Sequence, residues 1–198
     1  EVYELRKEVE QEEIKMGDGL VVKREEGNLI YDSTMIVEER TMINTLKIPR
    51  GGEFKITLSD GTRVYLNSAT DLRYPMVFDQ KERKVYLSGE AYFEVRKDER
   101  RPFFVQAGDV QIQVLGTSFN VTAYPGRGRI ETTLEEGKIQ LTDGRESVEV
   151  SPGKQAIYDI EDGRFEVKQV DTKLYTAWKD GYYKFDQMTL EDIMETLA

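Results

Sequence analysis

The 198 residues contain no cysteine and no histidine. Together these absences remove the Ser-His-Asp and Cys-His nucleophile pairs, the usual zinc sites and haem ligation. A metal site in this chain has only carboxylates and carbonyls to use. Missing cysteine leaves the compartment open, because it is tolerated in oxidising surroundings and ordinary in reducing ones. Long apolar runs are absent too: none approaches the ~20 residues that span a bilayer, and no secretory leader opens the chain. The first residue is Glu1 rather than a methionine, so the chain reads as a fragment of something longer. Positive charge is in deficit, with 28 Lys and Arg against 38 Asp and Glu and a net charge of −10. That field repels a polyanion unless a local basic patch overrides it. The nearest basic clusters, residues 97–101 (KDERR) and Arg127 with Arg129, are diluted by acids or glycines, so nucleic acid is not an expected partner. The glycines of PGRGR (125–129) lack the third glycine and the Lys-Ser/Thr of a phosphate loop, and no cofactor is expected.

What is present is a series of short strands. The length suits one domain, or one and part of a second. Asp-Gly pairs stand at 18–19, 60–61, 143–144, 162–163 and 180–181, and Asp-Gly between alternating runs is a hairpin signal. Phe54, Ile56 and Leu58 share a parity before the second pair, and Val64 and Leu66 follow it. Val85, Leu87, Ala91, Phe93 and Val95 share a parity across VYLSGEAYFEV. RPFFVQA (101–107), DVQIQVL (109–115), IETTL (130–134), KIQLT (138–142), ESVEV (146–150), KQAIYDI (154–160) and RFEVKQV (164–170) continue the pattern. This predicts a mainly β chain: an antiparallel sandwich or roll, or an irregular β-solenoid.

The two ends differ from the middle. Residues 1–16, rich in Glu and Lys, read as a solvated lead-in. In TLEDIMETLA (189–198), Leu190, Ile193, Met194 and Leu197 fall on one helical face, with Thr189 and Asp192 approximating a capping box. A helix of about ten residues is marginal alone, so its apolar face needs a partner, and a truncated second domain is expected there.

In VLGTSFNVTAYPG (114–126) the inward parity slips. Val110, Ile112 and Val114 are apolar on even numbers, Phe119, Val121 and Ala123 on odd ones. A one-residue slip predicts a β-bulge and a bent backbone at Gly116. A second reading is self-cleavage, with the Thr117 hydroxyl attacking the Gly116 carbonyl. Glu90 and Glu94 sit i, i+4 on one strand, about 13 Å apart along it, beyond the separation glycosidases use. Glu90, after Gly89 at a kink, is expected to be buried or half-buried and paired with an arginine, Arg83 and Arg101 being the candidates. Tyr65, Tyr74, Tyr86, Tyr92 and Tyr124 are either sheet packing or a sugar-stacking platform. Trp178, in AWKDGYYKF, is expected to anchor the boundary between the β part and the terminal segment.

Taken in order, PRGGEFKITLSDGTRVYLNSATDLRYP (49–75), RKVYLSGEAYFEV (83–95), RPFFV (101–105), VLGTSFNVTAY (114–124), TTLEEGKIQL (132–141), PGKQA (152–156) and AWKDGYYKFDQMTLEDIM (177–194) resemble the periplasmic part of iron-dicitrate-regulator (FecR) type anti-sigma factors. The resemblance implies a lead-in and first strands over 1–48, a FecR-like β domain over 49–176, and from 177 the start of a small α/β domain similar to secretin and TonB short N-terminal domains. It implies a single-pass inner-membrane protein whose anchor, absent from this chain, precedes Glu1. An absent cytoplasmic segment would bind an extracytoplasmic-function sigma factor. The periplasmic part would contact the N-terminal signalling domain of a TonB-dependent outer-membrane transporter. Some members are cut at the Gly-Thr bond corresponding to Gly116-Thr117. The protein is therefore expected to bind and transmit rather than act on a separate substrate. The alternative is a periplasmic glycan-binding β domain, which requires an exposed row of tyrosines; a carboxylate hydrolase requires two acids facing each other roughly 5–10 Å apart.

Overall fold

Strands with an apolar residue at every second position bury one face each, and this chain has enough of them to line two walls of a core. The computed structural model describes residues 43–184, and before them the backbone of three strands. Those are β1 (Gln11–Lys15), β2 (Val21–Glu25) and β3 (Asn28–Tyr31). Then come β4 (Ile43–Lys47), β5 (Phe54–Thr57), β6 (Arg63–Leu66), β7 (Asp71–Pro75), β8 (Arg83–Glu94) and β9 (Phe103–Ala107). The series continues with β10 (Val110–Val114), β11 (Ser118–Ala123), β12 (Arg129–Glu136) and β13 (Ile139–Thr142). It ends with β14 (Ser147–Val150), β15 (Lys154–Asp159) and β16 (Arg164–Gln169). A helical turn α1 (Lys173–Thr176) and a 3₁₀ turn (Ala177–Asp180) follow. Residues 185–198, with the helix expected at 189–198, lie outside the described residues. Within the expected lead-in, 11–15 is a strand paired with β2.

The sixteen strands among the described residues join in one continuous mixed sheet that folds into two leaves. The first leaf runs β1-β2-β3-β5-β6-β8-β11-β12-β15-β16, and the second runs β4-β7-β8-β9-β10-β13-β14. The twelve-residue β8 belongs to both. Its first half pairs with β7 and β9, its second half with β6 and β11. Gly89 marks the change of leaf. Its φ of +115° lies where side chains are rarely tolerated, and a Cβ there would fall 2.7 Å from the Thr70 Cα. The two leaves face one core. Phe93 of the first leaf stacks on Phe119 with ring centres 5.2 Å apart and reaches Phe103 of the second leaf at 6.2 Å. Ile56, Leu66 and Leu134 from the first leaf and Leu72, Ile112 and Leu141 from the second are fully or almost fully buried around them. Each such side chain stabilises the fold by about 1.5–3 kcal/mol.

The mainly β architecture and its hairpins are as the strand pattern predicts. The antiparallel rule has two exceptions: β8 with β9 and β3 with β5 run parallel. The first follows from the shared strand. The chain leaves β8 from the first leaf and re-enters the second leaf at β9, beside the start of β8 and in the same direction.

Candidate functional site

The outward positions of the first leaf form rows fixed by strand register. One row is Tyr65, Tyr92, Asn120, Thr133 and Gln155; the next pairs Glu90 with Thr122. Outward residues of a sheet are usually solvated, yet Tyr92, Asn120, Thr133 and Gln155 are at most 2% exposed. The segment after β16 covers Tyr92 and Asn120. The Trp178 ring is buried, and its Nε1 donates to Asn120 Oδ1 at 3.1 Å. Lys173 Nζ pairs with Glu135 Oε1 at 2.9 Å, and Lys179 Nζ lies 4.9 Å above the Tyr92 ring centre. Trp178 thus anchors the segment after β16 to the β domain; the terminal helix it is expected to adjoin lies outside the described residues.

Glu90 sits at the centre of this face. Asn67 Nδ2 donates to its Oε2 at 2.7 Å; Asn120 Nδ2 at 2.8 Å and Thr122 Oγ1 at 2.9 Å donate to its Oε1. Burial pushes its carboxyl up from the ordinary range, and the three donors, with Arg127 farther off, only partly offset that. The expected arginine partner is a correction. Arg83 is taken by Asp60, Nη1 to Oδ2 at 2.8 Å, with the carbonyls of Arg101 and Arg96 beside it. Arg101 pairs with Asp98. Arg83 lies in the half of β8 that belongs to the other leaf, so the Gly89 bend takes it away from Glu90. Glu94 shares the outward face but pairs with Arg63.

Glu135 is a residue that strand patterning did not single out. In the β11–β12 pairing, Ser118 faces Glu136 and Phe119 faces Leu134, so Glu135 is the extra residue of a bulge. It accepts hydrogen bonds from the Tyr92 hydroxyl and from Lys173. Burial works against its charge, but those two bonds and the positive charges of Lys173 and Lys179 together outweigh it and hold the carboxyl below the ordinary range. The bulge therefore lies on β12 rather than at Gly116, and it aims a carboxylate at the covering segment.

The parity slip at 114–119 has a different origin from the one expected. Leu115, Gly116 and Thr117 carry the chain from β10 in the second leaf to β11 in the first, so the inward face changes because the leaf changes. Gly116 does not adopt a left-handed φ. It is glycine because a Cβ there would fall 2.7 Å from the Cα of Lys97. Thr117 is buried, and its hydroxyl donates to the Lys138 carbonyl at 3.2 Å. The Gly116-Thr117 bond lines a surface cleft of about 340 Å³ with Lys97, Glu99, Gln113, Lys138 and Glu149.

The five tyrosines do not make one row. Tyr74 is in the core, the half-buried Tyr65 packs edge-on against Tyr92, and Tyr124 donates to the Ser68 carbonyl. Tyr86 stands alone of the five as an exposed ring, on the outer face of the second leaf. Among the described residues no three acids converge as a metal site, and no helix is long and apolar enough to cross a membrane.

Comparison with known proteins matches the family model "FecR protein" over residues 44–140. Two crystal structures of a candidate anti-sigma factor from Parabacteroides distasonis ATCC 8503 are similar to this chain. The one at 2.50 Å resolution is 31% identical with a TM-score of 0.72, covering 78% of this chain and 73% of that one. The one at 1.65 Å is 32% identical with the same TM-score and coverage. Among curated proteins none matches.

Proposed function

Because this chain belongs to the FecR family, with the anti-sigma signalling role and sigma-factor partner that go with it, we propose that it is the periplasmic sensor portion of a single-pass inner-membrane regulator. In this reading it relays a signal from the N-terminal signalling domain of a TonB-dependent outer-membrane transporter to an extracytoplasmic-function sigma factor. Its work is binding and transmission, not turnover of a separate substrate. The observation that carries the reading is the likeness of 78% of this chain to a candidate anti-sigma factor, at a TM-score of 0.72. The glycan-binding alternative has less support, since the tyrosines it would stack sugars on are dispersed over the core and both leaves.

A processing step at Gly116-Thr117 is a further part of this proposal. The Thr117 hydroxyl would attack the Gly116 carbonyl carbon, the C–N bond would break to leave an ester and a free amine, and water would hydrolyse the ester. The placement of this bond on the wall of a cleft favours the step, because water has a route to the ester. Both parts are tested in the full-length regulator. Removing residues 43–184 is expected to uncouple sigma-dependent transcription from the inducer, and unchanged induction contradicts the relay. Intact mass is expected to show a break before Thr117 in the wild type and none in Thr117→Ala. A single uncut wild-type species contradicts the processing step and leaves the relay standing.

A further inference from the structure

The segment after β16 lies on the first leaf without joining its core. Trp178 and Thr176 are its buried residues, and neither belongs to the apolar cluster between the leaves. Apart from the buried Trp178 ring and the half-buried Leu174 and Tyr175, its attachments are polar or cationic: Trp178 to Asn120, Lys173 and Thr176 to Glu135, Lys179 over Tyr92. The row of outward residues it sits on is polar as well. Gln155 donates to Thr133, but among the described residues the buried Gln155 Oε1 has no hydrogen-bond partner. Such an atom gains a bond when water reaches it. Regions with few buried apolar contacts open locally at lower free energy than the core.

We propose that residues 171–183 form a strap that lifts off the outer face of the first leaf while the β domain stays folded, and that the negative charge of Glu90 favours the lifted state. The proposal stands whatever partner the protein meets. Asn120 links the two parts, taking the Trp178 N–H on its oxygen and giving its amide to Glu90. The groups facing Glu90 are Asn67 after β6, Asn120 and Thr122 on β11, Tyr124 and Arg127 in the loop that follows, and Tyr183 beyond the strap's 3₁₀ turn. Three of these are neutral donors to the carboxylate; the one cation, Arg127, acts without a hydrogen bond to it. Tyr183, at the end of the strap, faces the half-buried Glu90, so closing the strap draws an ionised carboxylate further from water without an ion pair to compensate. Protonated Glu90 carries no such cost. The sign follows by linkage: burial raises the carboxyl, so its proton favours the closed state, and that favour is lost as pH rises through the raised value.

Trp178 is the single tryptophan of the chain, so its fluorescence reports the strap without a label. In urea, its emission is expected to shift red at a lower concentration than the far-ultraviolet circular dichroism of the sheet is lost. Without urea, acrylamide quenching of Trp178 is expected to weaken on acidification from neutral pH. The closed-to-open ratio should rise by up to about tenfold per pH unit in the range where Glu90 takes up its proton. Glu90→Gln should abolish that dependence. Coincident urea transitions overturn the strap, and a flat wild-type quenching profile overturns the role of Glu90; neither needs a variant. The same pH dependence in a folded Glu90→Gln also overturns that role.

Discussion

Arg83→Ala is expected to destabilise the protein by about 3–5 kcal/mol, the cost of removing one partner of a buried ion pair. The Arg83 and Asp60 side chains are 1% and 2% exposed. The guanidinium also donates to the carbonyls of Arg101 and Arg96, tying the start of β8 to the connection that leads into β9. Without it Asp60 keeps the Thr62 amide and hydroxyl as donors, but its buried carboxylate loses the cation it is paired with. Both carbonyls lose a donor as well, and the ring of Phe103 loses the cation 5.4 Å from its centre. Urea denaturation followed by circular dichroism measures the change. A loss under about 1 kcal/mol, the size of a surface ion pair, would show that water reaches this pair.

Gly89→Ala is the second large effect. The φ of +115° costs a non-glycine residue about 1–3 kcal/mol. The new methyl group would also press on the Cα and Cβ of Thr70, 2.7 and 2.8 Å away, adding about 1–3 kcal/mol for overpacking. Thr70 cannot retreat freely, because its hydroxyl accepts from the Glu90 amide and donates to the Ser68 carbonyl. The substitution strikes where the shared strand crosses between leaves. It should therefore lower the thermal midpoint and broaden amide signals in both leaves. An unchanged midpoint would mean that β8 does not need its bend.

The strand pattern announced most of the sheet, and the reasons are local. Alternation in FKITL and VYLSGEAYFEV marks an inward face, and Asp60-Gly61, Asp143-Gly144 and Asp162-Gly163 each close a hairpin between paired strands. The division of β8 was invisible, because Leu87, Ala91 and Phe93 keep one inward parity through the bend. The partners of Glu90 were also invisible. Thr122 faces it across the β8–β11 pairing, and Asn120 approaches from the neighbouring position on the same strand. Such neighbours depend on register between segments far apart in the chain. Arg83 and Arg101, the partners expected from charge alone, lie on the other side of the bend. Glu135 escaped notice because a bulge exists only relative to the strand it faces. At Gly116 the slip of parity was real, but a crossing between leaves produces the same signal as a bulge.

The proposed relay is tested most directly by titrating this chain against a purified N-terminal signalling domain of a TonB-dependent outer-membrane transporter from the same organism. The account predicts saturable one-to-one binding. No binding at high micromolar concentration, with both proteins shown to be folded, would contradict it.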